Sequence, residues 1–144
     1  MTRTVQDDRN SMDCIFCKVI NKEVPGYFIL GEKDYVAFLD IFGSTDGHTM
    51  VVPKKHGYSI FDYSEGELGV LMGGVQEIAR KMKKALGTDS ITIGINHEEE
   101  KGVPHLHIHL IPRFKDDGGK VLQSLVSNGL KEDLAKTAEK IRKA

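Results

Sequence analysis

Apolar side chains recur along the chain with two different periods, and each period predicts a different kind of element. Between residues 68 and 85 they recur at gaps of three and four, which places them along one side of a helix. A capping box at Ser64 and Glu67 precedes this stripe and Gly87 follows it, so the pattern predicts a helix over residues 65–86. The stripe consists of Leu68, Leu71, Val75, Ile78, Met82 and Ala85.

Beyond the first turn of this predicted helix lie three glycines, Gly69, Gly73 and Gly74, and each lowers helix stability by about 1 kcal/mol. Two interpretations are open. The glycines permit a close backbone contact, for example with a second subunit, or they are imperfections that the helix tolerates.

Shorter runs of β-branched and aromatic residues predict the strands, at residues 27–30, 35–39, 48–53, 91–95 and 105–111. In the fourth run isoleucines alternate with smaller or polar residues, which predicts a strand with one buried face. A short helical turn is expected at residues 13–21. Leu130, Leu134, Ala138 and Ile141 mark a C-terminal helix. Because the strands are grouped, the predicted fold class is α+β with an antiparallel sheet.

The pattern predicts one domain over residues 13–144, preceded by a polar, disordered tail at residues 1–12. The tail lacks the apolar core of a signal peptide, and no apolar stretch approaches the roughly 20 residues of a membrane span. The expected compartment is therefore the cytosol.

Charge narrows the possible partners. The 144 residues include 20 basic and 21 acidic side chains, for a formal net charge of −1. Nonspecific binding to nucleic acid or to a membrane surface needs an excess of lysine and arginine, so the balance argues against both. A single nucleotide needs only a local site and is not excluded.

Three of the six histidines lie within five residues of one another. In a strand, His105, His107 and His109 would share one face, with adjacent rings roughly 6.5–7 Å apart. Such a row serves packing poorly but suits two kinds of chemistry. The rings can bind a metal, or one ring can attack a phosphate while another donates a hydrogen bond to it. At that spacing neighbouring rings can do different work.

Cys14 and Cys17 form a CxxC pair that supplies half of a tetrahedral zinc site. The candidates for the other two ligands are His48, His56, His97 and one of the strand histidines. A redox dithiol is the rival interpretation, but such motifs follow a strand, and here only the polar tail precedes Cys14. The thiols could also serve neither purpose.

Four segments now combine into a recognisable pattern. They read CIFCKVI at residues 14–20, VAFLDI at 36–41, GHTMVVPKKH at 47–56 and HLHIHLIPR at 105–113. Together they resemble the histidine triad (HIT) hydrolases and transferases, in their bacterial Hint-like branch. The last segment is specific, because the family is named for His-x-His-x-His followed by apolar residues. The resemblance extends to about residue 119 and implies a HIT-like α+β fold, with one long helix packed on a sheet of about five strands.

The resemblance implies roles for the matching residues. His107 would be the nucleophile that takes a nucleotidyl group from a phosphoramidate or a polyphosphate. His109 would bind the phosphate and orient the site, and His48 would support the nucleophile. Asp40 would accept hydrogen bonds from the ribose hydroxyls, and Asn96 would contact the ribose or phosphate region.

A structural zinc ion, a purine pocket and a homodimer are also implied by the resemblance. Phe38 and Ile41 are candidates for contact with the base. The dimer would pair the long helix and a strand across a two-fold axis. The zinc ligands would be Cys14, Cys17, His56 and His105.

One segment, between Asn96 and His105, departs from the family pattern and is shorter than usual. Lys101 stands where the family has glutamine, and Gly102 where Hint-type members often have serine. Both usual residues help to hold the phosphates or the leaving group, and Lys101 is a cation that could take over that contact. The glutamates at residues 98–100 would repel an anionic substrate, or they form a solvated turn.

Three hypotheses for function follow. The first is a zinc-containing hydrolase of purine nucleoside 5′-phosphoramidates, with dinucleoside polyphosphates as a secondary substrate. The second is a purine nucleotide-binding module whose catalysis is weak or lost because of the altered segment at residues 97–102. The third is an interaction protein organised by zinc, which predicts no nucleotide binding.

Overall fold

A computed structural model describes residues 13–144, so the tail predicted at residues 1–12 lies outside the described part of the chain. The described residues form three α-helices and five β-strands. In chain order they are α1 (Ile15–Ile20), β1 (Phe28–Gly31), β2 (Tyr35–Leu39), β3 (Thr49–Pro53), α2 (Glu65–Leu86), β4 (Ser90–Gly94), β5 (Ile108–Arg113) and α3 (Leu134–Lys143). In this part of the chain no helix is both long and apolar enough to cross a membrane.

The strands form one antiparallel sheet in the order β1-β2-β3-β5-β4, which confirms the predicted α+β class. Met50 on β3 lies opposite His109 on β5, and His109 lies opposite Gly94 on β4. This register places β5, which carries the last histidine of the triad, inside the sheet. It leaves β1 and β4 at the two edges.

Helix α2 covers one face of the sheet and has the bounds that its sequence pattern predicts. Ser64 and Glu67 form the reciprocal capping box, and Gly87 ends the helix in the left-handed conformation with φ of 67°. The core on this face consists of Leu71, Val75, Ile78 and Met82 of the helix, Ala37, Val51, Ile108 and Leu110 of the sheet, and Leu106 just before β5. Ala85, the last residue of the predicted stripe, is exposed.

Helix α1 lies on the opposite face of the sheet. Its Phe16 and Val19 pack with Val36, Phe38, Met50 and Val52. Strand β3 is therefore buried on both faces, which explains why its sequence is an apolar run and not an alternation. His109 shares this second face because it lies directly across from Met50.

The helix glycines have two different environments. A Cβ atom added at Gly74 would lie 2.6 Å from the ring of Tyr35, so the helix backbone closely approaches β2 there. Added at Gly69 or Gly73, it would meet nothing within 4 Å. A close contact within the chain thus accounts for Gly74 and leaves the other two glycines on an open surface.

The strand predicted at residues 105–111 begins only at Ile108, so the prediction is wrong for its first three residues. The amide of His105 donates to the carbonyl of Val103, and the amide of Leu106 donates to the carbonyl of Gly57. These hydrogen bonds turn the chain after Pro104, before it joins the sheet. The three histidines consequently do not form one evenly spaced row.

Strand β4 and helix α3 both expose apolar side chains in the described part of the single chain. On edge strand β4 the predicted buried face forms only in part, since Ile91 packs against the core but the exposed fraction of Ile93 is 38%. On α3 the apolar residues Leu134 and Ile141 are 65% and 73% exposed. Both surfaces can be buried only by something outside the described residues of this chain.

Candidate functional site

Two clusters of side chains lie on the α1 face of the sheet, and the first contains both cysteines. The Sγ atom of Cys14 is 3.4 Å from Nδ1 of His105, and the Sγ atom of Cys17 is 3.3 Å from Nδ1 of His56. The two Nδ1 atoms are 3.2 Å apart. A tetrahedral zinc ion with nitrogen and sulfur ligands requires separations of roughly 3.3–3.8 Å between the ligand atoms. These four residues, the cysteine cluster, are therefore positioned to bind a metal ion.

Hydrogen bonds orient two of these ligands. Nε2 of the buried His105 donates to the carbonyl of Pro53 at 2.7 Å, so the lone pair of this ring lies on Nδ1, which faces the cysteines. Metal-binding histidines are commonly held in this way through their other nitrogen. The amide of Cys17 donates to Sγ of Cys14, which caps the first turn of α1.

Without a metal ion, Cys17 and His105 of the cysteine cluster are both held in their neutral forms. Burial, reinforced by the neighbouring Cys14, raises the pKa of Cys17 to about 12. Burial lowers the pKa of His105 to about 4 despite its hydrogen bond to Pro53. The imidazole is thus neutral, as a ligand must be, and a cation would provide the positive charge that two thiolates require.

The second cluster, called here the histidine cluster, consists of His48, His107 and His109 with Asp40. Nδ1 of His107 donates to the carbonyl of His105 at 2.6 Å, which leaves the lone pair of His107 on Nε2. The ring of Phe16 packs edge-on against His107 with centroids 5.0 Å apart. Burial lowers the pKa of His107, against the opposing effects of its hydrogen bond to His105 and of the charges of Asp40 and Glu99. His107 is consequently a neutral imidazole at pH 7.

His48 contacts His109 and not the nucleophile candidate. Nε2 of His48 lies 2.8 Å from Nδ1 of His109, and Nδ1 of His48 accepts a hydrogen bond from the amide of Ser44 at 3.0 Å. The rings of His107 and His109 have centroids 4.9 Å apart, closer than a regular strand would place them. Burial, together with the positive charges that His107 and His48 would carry, lowers the pKa of His109 to about 4.

Asp40 begins the loop that leads to His48. Its Oδ1 accepts from the amide of Phe42 at 2.9 Å, and its main-chain amide donates to the carbonyl of His48. Its Oδ2 is 3.7 Å from Nε2 of His48 and 3.9 Å from Nδ1 of His109, beyond ordinary hydrogen-bond distance. One carboxylate oxygen is therefore held by the loop, and the other is available to a ligand.

The altered segment lies beside His107. Asn96, Glu99 and Gly102 line a narrow cavity together with His107, whereas Lys101 is exposed and does not line it. Nε2 of His97 accepts a hydrogen bond from the amide of Ile60 at 3.0 Å, which attaches the segment to the loop before α2. His97 and His48 are both outside the cysteine cluster, although the sequence left them open as metal ligands.

The two candidates for base contact lie in different environments. Phe38 is 4% exposed and packs edge-on against Phe16 with centroids 5.5 Å apart, while Ile41 is 71% exposed. Phe16 and Ser44 were not among the predicted site residues, although Phe16 packs against His107 and the main-chain amide of Ser44 donates to His48. Phe16 carried a signal, its place between two cysteines, but a main-chain donor has no sequence signature.

Comparison with known proteins adds four findings. The model of the HIT domain family matches residues 21–116. Over 114 residues the chain is 34% identical to the adenosine 5'-monophosphoramidase HNT1 of Saccharomyces cerevisiae, which covers 76% of this chain and 68% of that protein. A solved HIT family protein from Bacillus subtilis is similar with a TM-score of 0.78 and 29% identity, covering 91% of this chain and 96% of that one. A zinc-bound histidine triad family protein from Mycobacterium smegmatis has a TM-score of 0.70 and 28% identity, with coverages of 93% and 94%.

Proposed function

The chain belongs to the HIT domain family, and we propose that it hydrolyses nucleoside 5′-phosphoramidates through a covalent nucleotidyl-histidine intermediate at His107. The product is a nucleoside monophosphate, and dinucleoside polyphosphates form a secondary class of substrate. Nucleotide hydrolysis is the activity that family membership supports. The substrate class rests on the similarity to the yeast phosphoramidase.

The state of His107 is the observation that carries the proposal. Its Nδ1 proton is committed to the carbonyl of His105, and burial lowers its pKa, so Nε2 has a lone pair at neutral pH. An imidazole held in this way is a nucleophile that needs no separate base to remove a proton.

In the first step Nε2 of His107 bonds to phosphorus while the P–N bond breaks. The departing nitrogen keeps the electron pair of that bond and takes a proton from solvent. Charge grows on the phosphoryl oxygens, so a donor fixed beside them, for which His109 is the candidate, stabilises the transition state. Water then attacks the same phosphorus, loses a proton to solvent, and releases the monophosphate with the lone pair restored to Nε2.

Steady-state kinetics on an adenosine 5′-phosphoramidate test the proposal, with release of AMP as the readout. The second candidate, a nucleotide-binding module, is favoured by Glu99, whose negative charge lies in the cavity that contains His107. Tight AMP binding in calorimetry without turnover of any phosphoramidate or dinucleoside polyphosphate would establish that candidate instead.

Asp40 is proposed to bind the ribose hydroxyls through Oδ2. Replacing Asp40 with asparagine keeps the oxygen that accepts from Phe42 but removes the charge. We expect kcat/KM for an adenosine phosphoramidate to fall about 10- to 100-fold, because hydrogen bonds to charged groups contribute about 1.5–3 kcal/mol. The 2′,3′-dideoxy analogue is the matched control, since it has no hydroxyl to lose. Equal losses on both substrates would contradict the ribose contact.

We propose that zinc occupies the cysteine cluster and has a structural role. A set of two sulfur and two nitrogen ligands is typical of zinc, and all four ligands come from the protein, which leaves no open position for substrate. Zinc would connect α1 to the segment that carries the histidines. Thiolates that bind metal must stay reduced, which favours a cytosolic location.

We also propose a homodimer formed through α2 and edge strand β4. Val70 and Met72 on α2 are 46% and 54% exposed, beside the open positions of Gly69 and Gly73. A second copy would cover this face and pair with the free edge of β4, burying Ile93.

Replacing Gly73 with alanine tests the dimer. In a monomer the substitution would stabilise α2 by about 0.5–1 kcal/mol, because nothing within 4 Å obstructs the added methyl group. At a close helix contact the same methyl group would separate the subunits, and we expect the dimer dissociation constant to rise at least about tenfold in sedimentation equilibrium. Gly31→Ala on β1, the opposite edge of the sheet, is the matched control. A more stable helix with unchanged association would contradict the proposed interface.

A further inference from the structure

The hydrogen bonds around His48 determine which of its nitrogens carries the proton. The main-chain amide of Ser44 donates to Nδ1 of His48 at 3.0 Å. An amide can only donate, so Nδ1 must hold a lone pair. His48 is 7% exposed, and this burial lowers its pKa although the charge of Asp40 opposes the shift. The ring is therefore neutral at pH 7, and its single proton lies on Nε2.

The proton on His48 in turn determines which nitrogen of His109 is protonated. Nε2 of His48 lies 2.8 Å from Nδ1 of His109. Because Nε2 of His48 carries the hydrogen, it donates, and Nδ1 of His109 accepts. The pKa of His109 is about 4, so this ring is also neutral and its proton lies on Nε2. Oδ2 of Asp40, at 3.7 Å from Nε2 of His48, is too distant to compete for the hydrogen.

We propose that the Ser44 amide and His48 are positioning groups that hold His109 as the Nε2–H tautomer, so that His109 offers a hydrogen-bond donor to the phosphoryl oxygen of the substrate. The catalytic part of this inference rests on the proposed hydrolase function. The opposite tautomer would direct a lone pair at an oxygen whose negative charge grows in the transition state, which would repel it. His48 thus acts through His109 and not on His107.

The positions of these protons also argue against a second metal site, in the histidine cluster. Asp40, His48 and His109 lie close enough together to be considered as ligands. A cation bound to Nε2 of His48 would have to displace the proton that the Ser44 amide places there, and imidazole binds metal through a lone pair. The hydrogen bonds therefore favour a proton-ordered pair of histidines over a metal site.

The test is nitrogen-15 NMR of the full-length protein labelled at histidine, with long-range couplings that identify the protonated ring nitrogen. We expect the proton of His109 on Nε2 in the wild type. His48→Leu removes the donor, and we expect mixed tautomers of His109 and a fall in kcat/KM of at least about tenfold. His48→Gln retains a side-chain N–H and should restore most of both. Ser44→Ala keeps the amide, so its His109 tautomer should match the wild type.

Three results would overturn the inference. They are a wild-type His109 protonated on Nδ1, a His48→Leu protein with the wild-type tautomer, and a shifted tautomer with unchanged kcat/KM. If His48→Leu does not fold, the wild-type spectrum and the His48→Gln variant still test the inference. The spectra need no substrate, so a wild type with the expected tautomer and no phosphoramidate turnover would instead count against the proposed function.

Discussion

Replacing His107 with alanine is expected to lower kcat for an adenosine 5′-phosphoramidate by at least about 10⁴-fold. The variant loses the only group proposed to bond to phosphorus, and no neighbouring ring can substitute for it. His109 has its lone pair directed at His48, and His105 has its lone pair directed at the cysteines. A quenched reaction of the wild-type protein should contain a nucleotidyl adduct on His107 in peptide mass spectrometry, and the variant should contain none.

His97→Ala is the matched control for the loss of one imidazole. His97 is the one histidine outside both clusters, and it contacts the loop before α2. We expect its kcat to remain within about tenfold of the wild type. Both variants should keep the metal content of the wild type, because neither residue belongs to the cysteine cluster. Wild-type turnover by His107→Ala, or an adduct at another residue, would refute the proposed mechanism.

Replacing Cys14 with serine is expected to release the metal and to destabilise the fold by several kcal/mol. Cys14 is 2% exposed, caps the first turn of α1 and is one of the four side chains positioned to bind a metal ion. A serine hydroxyl is a poor ligand for zinc, and the remaining three side chains would keep a buried, incomplete site. Elemental analysis should find about one zinc per wild-type chain and almost none in the variant. Denaturant unfolding measures the lost stability.

The metal-free variant should also lose activity, because the loss of the metal would disturb the residue that holds His107. The ring of His105 belongs to the cysteine cluster and its carbonyl holds Nδ1 of His107, so one residue joins the two clusters. Lys18→Ala, on α1 but outside the four ligands, is the control and should keep both metal and stability. Zinc retained by Cys14→Ser would mean that other residues bind it.

Local sequence patterns were sufficient for much of the fold. The bounds of α2 follow from its three-and-four spacing and from its capping residues, because these interactions form within one turn of the helix. Strand β2 was predicted with its observed bounds for a similar reason, since it is a compact β-branched and aromatic run between turns. The CxxC spacing correctly indicated two thiols that could face one metal.

The evenly spaced row predicted for the three histidines does not form. Placing the three histidines on one face requires that the whole segment is a strand. The carbonyl of Gly57, far away in sequence, instead accepts a hydrogen bond from the amide of Leu106, and β5 begins only at Ile108. The buried face predicted for β4 forms only at Ile91, for a related reason. Whether Ile93 is covered depends on what packs beside the edge of the sheet, and its alternation pattern does not contain that information.

The sequence alone determined the reactive groups and their order along the chain, because thiols, imidazoles and a carboxylate keep their intrinsic chemistry in any fold. The tertiary structure alone decided how the histidines are divided between two clusters. It also decided which nitrogen of each ring carries a proton. Both depend on main-chain donors and acceptors at Pro53, His105 and Ser44, and every residue type except proline offers the same main-chain groups until folding places them.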